Sequence, residues 1–276
     1  MNSPYTPPAT SLIKETSYSP HTDPYGNPIP QLLLEPRSCN AAAGIGWLTQ
    51  AFNLFKSNFL LWIGIMVVFI VIMAIGGALP FIGLLFNLLV FVFIGGIIKG
   101  ANVQATGGEL RFDHLFSGFQ THFVPLIIVG LLYLVGIIVA MIPLFIALGG
   151  MALSMFAGDV SSVEQGMSGL FSAGVIIAYL LFFFLLIPLV MAIWFAPSLI
   201  VLHDVAPIDA MKKSFKACLK NILPMFVYGL IFMFVAPLVM IFTLGLGFFA
   251  VMPVMLISYY TSYRDVWTDQ PVAALP

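Results

Sequence analysis

The sequence predicts an all-α polytopic membrane protein: six transmembrane helices arranged as three repeated units, each an amphipathic interfacial helix followed by a transmembrane hairpin. Three observations predict it. Hydrophobic residues make up 61% of the 276-residue chain and charged residues only 8%, with a mean hydropathy of +1.08; soluble domains carry about a quarter charged residues. One pattern recurs three times, as AFNLFKSNFLLW (51–62), LFSGFQTHFVPL (115–126) and SFKACLKNILPM (214–225). In each, a Phe (Phe52, Phe116, Phe215) stands six residues before an amide or imidazole (Asn58, His122, Asn221), which an apolar residue follows. Fixed spacing repeated at three places argues for one supersecondary unit used three times. Finally, all ten Lys and Arg residues fall on one side of a six-span arrangement, and the positive-inside rule makes that side, with both termini, cytoplasmic. Five spans would put basic segments outside.

Residues 1–43 carry eight prolines, from Pro4 to Pro36, among Ser, Thr, Asn and Tyr, with no periodic apolar face. They read as a disordered cytoplasmic tail. Nothing there has the basic start, apolar core and small-residue cleavage site of a signal peptide, so the first span should direct insertion. Composition alone accounts for PYTPP and SYSP, although a protein partner docking on the tail is conceivable. The six-span membrane domain is expected over 44–264, in units 44–105, 106–205 and 206–264, before a short polar tail over 265–276.

The first unit opens with an amphipathic helix in which Ile45, Leu48, Phe52 and Phe55 recur at helical spacing. Residues 59–79 form an uncharged run long enough for a hydrocarbon core of about 30 Å. The chain turns near Pro80 and returns over 81–98. There the spacing of Gly96 and Gly100 would let another helix approach closely, or simply mark a helix end. In the second unit, Phe112, Leu115, Phe116, Phe119 and Phe123 form an apolar stripe, with Asp113 placed to cap the helix start. Residues 124–148 cross outward, 149–172 form a far-side loop or short helices, and 173–202 return, kinked or ended by Pro188 or Pro197. The third unit has the strongest interfacial helix. Ile208, Met211, Phe215, Leu219 and Ile222 form one stripe, with Lys212, Lys213, Lys216 and Lys220 on the other side. Spans over 222–244 and 248–262 complete it.

No ionisable residue sits inside the proposed spans except Lys99 at an edge, where it can snorkel. Proton-coupled carriers usually place titratable groups at membrane depth, so proton-driven transport is disfavoured. Asp113, His114 and His122, or His203, Asp204 and Asp209, could contribute to a metal site, but neither set has the compact spacing of a strong zinc motif. No GxSxG, HExxH or phosphate-cradling glycine loop occurs. No metal or cofactor is expected, and no enzyme. A net charge of −1 gives no basic excess for nucleic acid. Cys39 and Cys218 both fall in segments assigned to the reducing cytoplasm and should be unpaired thiols.

GELRFDHLFSGFQ (108–120) and APSLIVLHDVAPIDAMKKSFKACLKNILP (196–224) resemble an uncharacterised family of proteobacterial multi-pass inner-membrane proteins. More distantly, the second stretch is similar to the membrane domain attached to some glycerophosphodiester phosphodiesterases. Ala210, Ser214 and Asn221 stand where that motif has its small and amide residues. The resemblance covers about 44–264 and implies a bacterial inner membrane, with no catalytic residues. The leading expectation is a lipid-interacting or scaffolding protein whose lysine face (Lys212, Lys213, Lys216, Lys220) meets anionic lipid headgroups. The alternative is a channel or facilitator for a small solute. A lipid binder should show a lateral groove near those lysines, and a pore should show a continuous row of polar or small residues. Oligomeric state is not legible.

Overall fold

A computed structural model describes residues 30–78, 83, 86–156, 169 and 172–270. Its described residues are helical apart from turns, short irregular segments and one isolated antiparallel bridge, Leu32 to Thr268. The helices are α1 (Ala43–Ser57), α2 (Phe59–Gly77), α3 (Leu89–Ala105), a 3-10 turn (Phe112–Phe116), α4 (Ser117–Thr121), α5 (Phe123–Phe156), α6 (Ala173–Trp194), α7 (Ala196–His203), α8 (Pro207–Lys220), α9 (Ile222–Phe242) and α10 (Phe248–Trp267). Among the described residues, four stretches are long and apolar enough to cross a membrane: Phe59–Gly77, Phe123–Gly150, Ala173–His203 and Ile222–Phe242. α3 is apolar but has 17 residues, and the second half of α10 is polar.

The core lies at one end of the molecule. Trp47, Leu54, Trp62, Ile98, Leu115, Phe195, Leu199, Tyr260 and Trp267 are all buried there, where α1, α7, α8 and the C-terminal parts of α3 and α10 converge. Most of its buried polar groups are partnered, the Ser198 hydroxyl and the Trp267 indole N–H being exceptions among the described residues. The Trp62 indole donates to Gln104 Oε1 at 2.9 Å, and Gln104 Nε2 donates to Leu54 O and Ser57 Oγ at 2.8 Å each. At the other end the helices present large apolar side chains outward, Phe156 90% and Phe242 81% exposed. A soluble fold would not leave such a surface, whereas lipid covers it at no cost.

The three repeat positions are backbone hinges. Asn58 (φ −139°, ψ 43°), His122 (φ −128°, ψ 26°) and Asn221 (φ −122°, ψ 33°) each end one helix and immediately precede another. At each, the residue four further on donates to the hinge carbonyl: Trp62 at 3.0 Å, Leu126 at 3.1 Å and Met225 at 3.1 Å. Thus the incoming helix stops and the next starts without leaving that carbonyl unsatisfied.

Several expectations need correction. Residues 30–40 are not a free tail: they pack along α8 and the end of α10 (below), so the ordered domain begins well before residue 44. The predicted tail over 1–29 lies outside the described residues. Residues 265–270 also belong to the fold: α10 continues to Trp267, and Thr268 is buried, its hydroxyl donating to Gln270 O at 2.9 Å; the rest of the expected tail lies outside the described residues. α5 runs on to Phe156 through the expected loop start, about 50 Å at 1.5 Å per residue; most of that loop lies outside the described residues. Asp113 does not cap its helix. Its carboxylate pairs with Arg111 at 3.1 Å, and His114 Nδ1 accepts the Arg111 N–H at 2.9 Å instead. The stripe of the second unit is split, Leu115 buried while Phe112 and Phe123 face outward, because the expected continuous helix is a 3-10 turn plus one short helix.

Glycines 96 and 118 explain how closely that short turn packs. A Cβ on Gly96 would lie 2.4 Å from Leu115 O, and one on Gly118 would lie 2.2 Å from Val92 O. Backbone meets backbone here, at Gly96 but not at Gly100, where a Cβ would meet only side chains. Pro188 stays inside α6, whereas Pro197 opens α7 after a break at Phe195. Ser214 of α8 fills that break. Its hydroxyl accepts the Phe195 N–H at 2.9 Å and donates to Met191 O at 2.7 Å, standing in for the helical bond between them.

Candidate functional site

α8 has three faces. Ala210, Ser214, Ala217 and Cys218 are buried against α6 and α7, Ile208 and Leu219 are exposed, and the lysines fill the remaining sector. The expected stripe (Ile208, Met211, Phe215, Leu219, Ile222) is therefore not the packing face. Small residues pack, and the bulky ones point outward or lie half-buried. Without a hydrophobic drive between helices in lipid, close approach through small side chains decides the contact. Both cysteines are free thiols. Burial, opposed by Ser214, pushes the Cys218 thiol up to about 12.

The four lysines differ in what they touch. Lys216 Nζ lies 2.6 Å from Glu35 Oε2, and Lys220 Nζ donates to Pro36 O at 2.8 Å. Lys212 reaches Asp209 at 3.7 Å, one helical turn away, and Lys213 has no ion pair among the described residues. Of the four lysines expected to meet lipid headgroups, the segment before α1 already occupies Lys216 and Lys220.

That segment is a strap. Arg37 Nη2 donates to Thr268 O at 2.9 Å, the Cys39 N–H donates to Asn221 Oδ1 at 2.8 Å, and Asn221 Nδ2 donates to Arg37 O at 2.9 Å. Asn221 is fully buried. Burial, then the neighbouring Asp265 carboxylate, raises the Cys39 thiol to about 12. The Lys216 hydrogen bond and charge hold Glu35 below the usual glutamate range. A group depressed on folding stabilises above its unfolded value and loses that contribution as pH falls through the folded one. A nitroxide placed by Leu34→Cys should therefore keep constant mobility from about pH 5 to about pH 9 and loosen only below the ordinary glutamate range. In a Lys216→Gln background it should be mobile throughout; equal mobility in both proteins at neutral pH would refute the contact.

The other repeat residues do not converge on one site. Phe52 is half exposed on α1 and lines an apolar cleft of about 370 Å³ with Leu48, Phe232, Val235 and Val251. This cleft lies among α1, α9 and α10, and the α8 lysines do not line it. Asn58 is exposed. Phe116 packs edge-on against Phe93, and Phe215 is half-buried. His122 Nε2 lies 2.8 Å from Asp204 Oδ1, which joins one member of each candidate metal set. Among the described residues no group of three or more His, Cys, Asp or Glu could hold a metal. Asp204, in the left-handed region at φ 53°, closes α7, a conformation Asp tolerates.

Sequence reading missed a polar cavity of about 310 Å³ where the strap meets α3, α7 and α10, lined in part by Gln31, Asn102, His203, Tyr263 and Arg264. Arg264 is 6% exposed. Its Nε donates to Gln270 O at 3.0 Å and its Nη1 to Tyr260 Oη at 2.7 Å. The available signal was an Arg inside the aromatic-polar run YYTSYRDVW.

Over 198 residues, 70% of its length, the chain is 30% identical to a protein of Burkholderia thailandensis named as a probable inner membrane protein, 73% of which is covered. That name says nothing of a phosphodiesterase. No family model matches the chain, and no solved structure does.

Proposed function

The chain belongs to the family of that Burkholderia inner-membrane protein, and from this we propose a non-enzymatic, lipid-interacting or scaffolding protein of six spans in three repeated units. α3 and α10 join the four long apolar stretches as spans, with both termini cytoplasmic. Even parity and the placement of the basic residues support this topology, and the shared hinge geometry at Asn58, His122 and Asn221 supports the repeat.

The observation that carries the lipid reading is the division of α8. Its small face is packed and its bulky apolar face is open. Lys212 and Lys213 are not engaged by the strap, and the chain passes through one hinge straight into α9. A helix so placed lies along the cytoplasmic leaflet with its apolar side in the acyl region and its lysines at headgroup level. Each lysine near an anionic surface contributes about 1 kcal/mol.

The test is mass spectrometry of lipids retained when the protein is extracted in native lipid discs. Anionic lipid should be enriched over the bulk membrane, and the enrichment should fall about fivefold per lysine in Lys212→Gln and Lys213→Gln. Lys216→Gln and Lys220→Gln should change it less, because those two are satisfied by the strap. A bulk-like profile around the unmutated protein would sink the reading and turn the question to solute flux.

A further inference from the structure

The geometry points to the cavity between the strap, α3, α7 and α10 as a binding site for a phosphate group, carried by a small soluble ester or by a lipid headgroup. This goes beyond the lysine face, which lines no part of the cavity.

The argument begins with Arg264. A guanidinium does not deprotonate in proteins, and a charge taken out of water needs a partner. Yet no carboxylate among the described residues pairs with Arg264. Its two bonds go to neutral oxygens, Gln270 O and Tyr260 Oη, and no described residue hydrogen-bonds Nη2. Tyr260 in turn donates to Asn102 Oδ1 at 3.1 Å, which fixes the amide so that its NH2 remains as a donor. One buried phenol therefore orients both the cation and the amide that line the cavity.

The surrounding charges are accounted for. His203 feels Asp204 and Lys213; Tyr263 feels Arg264 and Asp269. Neither carboxylate forms an ion pair with the guanidinium: Asp204 holds His122 and Asp269 accepts the Gln31 N–H at 2.8 Å. Because α3, α7 and α10 end near the cavity, their C-terminal dipoles oppose an anion. Those are fractional charges confined to the last turn, against one full guanidinium charge and the nearby Lys213. Arg264 and Asn102 offer donors from two different helices, whereas His203 Nε2 is already hydrogen-bonded to Tyr263 Oη. A phosphate offers oxygens in several directions to such donors, whereas a carboxylate in the Arg264 plane would satisfy the guanidinium alone.

The test uses the full chain in neutral detergent, titrated by calorimetry with inorganic phosphate, glycerol phosphate and water-soluble dihexanoyl phosphatidate. At least one should saturate. Saturation by phosphatidate alone assigns a lipid headgroup, and saturation by either of the others assigns a soluble ester. Arg264→Gln should weaken that binding at least about tenfold. Asn102→Asp should do the same while keeping an acceptor for Tyr260, so it decides the matter even if the arginine variant fails to fold. No saturation by any probe below about 10 mM, or unchanged affinity in Asn102→Asp, would overturn the proposal.

Discussion

Gly44→Ala is expected to destabilise the protein by about 2–3 kcal/mol, although alanine is the better helix former. In α1 a Cβ at this position would stand 2.2 Å from Pro224 O and 2.8 Å from Tyr228 N, both backbone atoms of α9. A flexible side chain could swing away, but a helix backbone cannot, so α1 and α9 must separate. Overpacking of this kind costs about 1–3 kcal/mol and sometimes more. Two residues on, Gly46 has nothing within 4 Å of its virtual Cβ, so Gly46→Ala should be neutral or gain up to about 1 kcal/mol from helix propensity. Thermal unfolding in one detergent would separate the two. Equal melting temperatures would mean that α1 and α9 do not meet this closely in the membrane.

This contact shows where sequence reading stops. Hydropathy and composition suffice for helices that face lipid, because the solvent selects the residues. Which face of a helix packs on its neighbour is another matter. In water the large apolar stripe goes inward, and that rule would bury Ile208 and Leu219 of α8; in lipid both faces are equally well solvated, and Ala210, Ser214 and Ala217 pack instead. The hinge residues were visible as a spacing, since one backbone conformation recurs three times. The strap was not: apart from Glu35 and the Arg37 guanidinium, its bonds to α8 and α10 run through main-chain groups such as Pro36 O, Arg37 O and the Cys39 N–H, which any sequence carries. The cavity escaped for a similar reason. Asn102, His203 and Arg264 are about 60 to 160 residues apart, and no local pattern joins them.

Asn221→Leu should cost about 3 kcal/mol, whereas Asn58→Leu, at the corresponding hinge of the first unit, should stay within about 0.5 kcal/mol. The two residues have nearly the same backbone angles, so the difference must come from their side chains. Asn58 is exposed and makes no cap bond. Asn221 is fully buried. It accepts from the Cys39 N–H and donates to Arg37 O and, at 3.0 Å, to Ala217 O. Leucine would leave a strap donor and acceptor without a partner, and each orphaned group costs about 1–3 kcal/mol. A second readout is independent of melting. Loss of Asn221 should loosen the strap, return the Cys39 thiol from about 12 toward the ordinary value near 8.5, and so accelerate its alkylation at mildly alkaline pH. Cys218, buried on the packed face of α8, should stay slow and serve as the internal control. If both asparagine variants lost the same stability and Cys39 stayed unreactive, the hinge conformation itself, which Asn tolerates better than Leu, would account for the repeated amide, and the strap would hold without it.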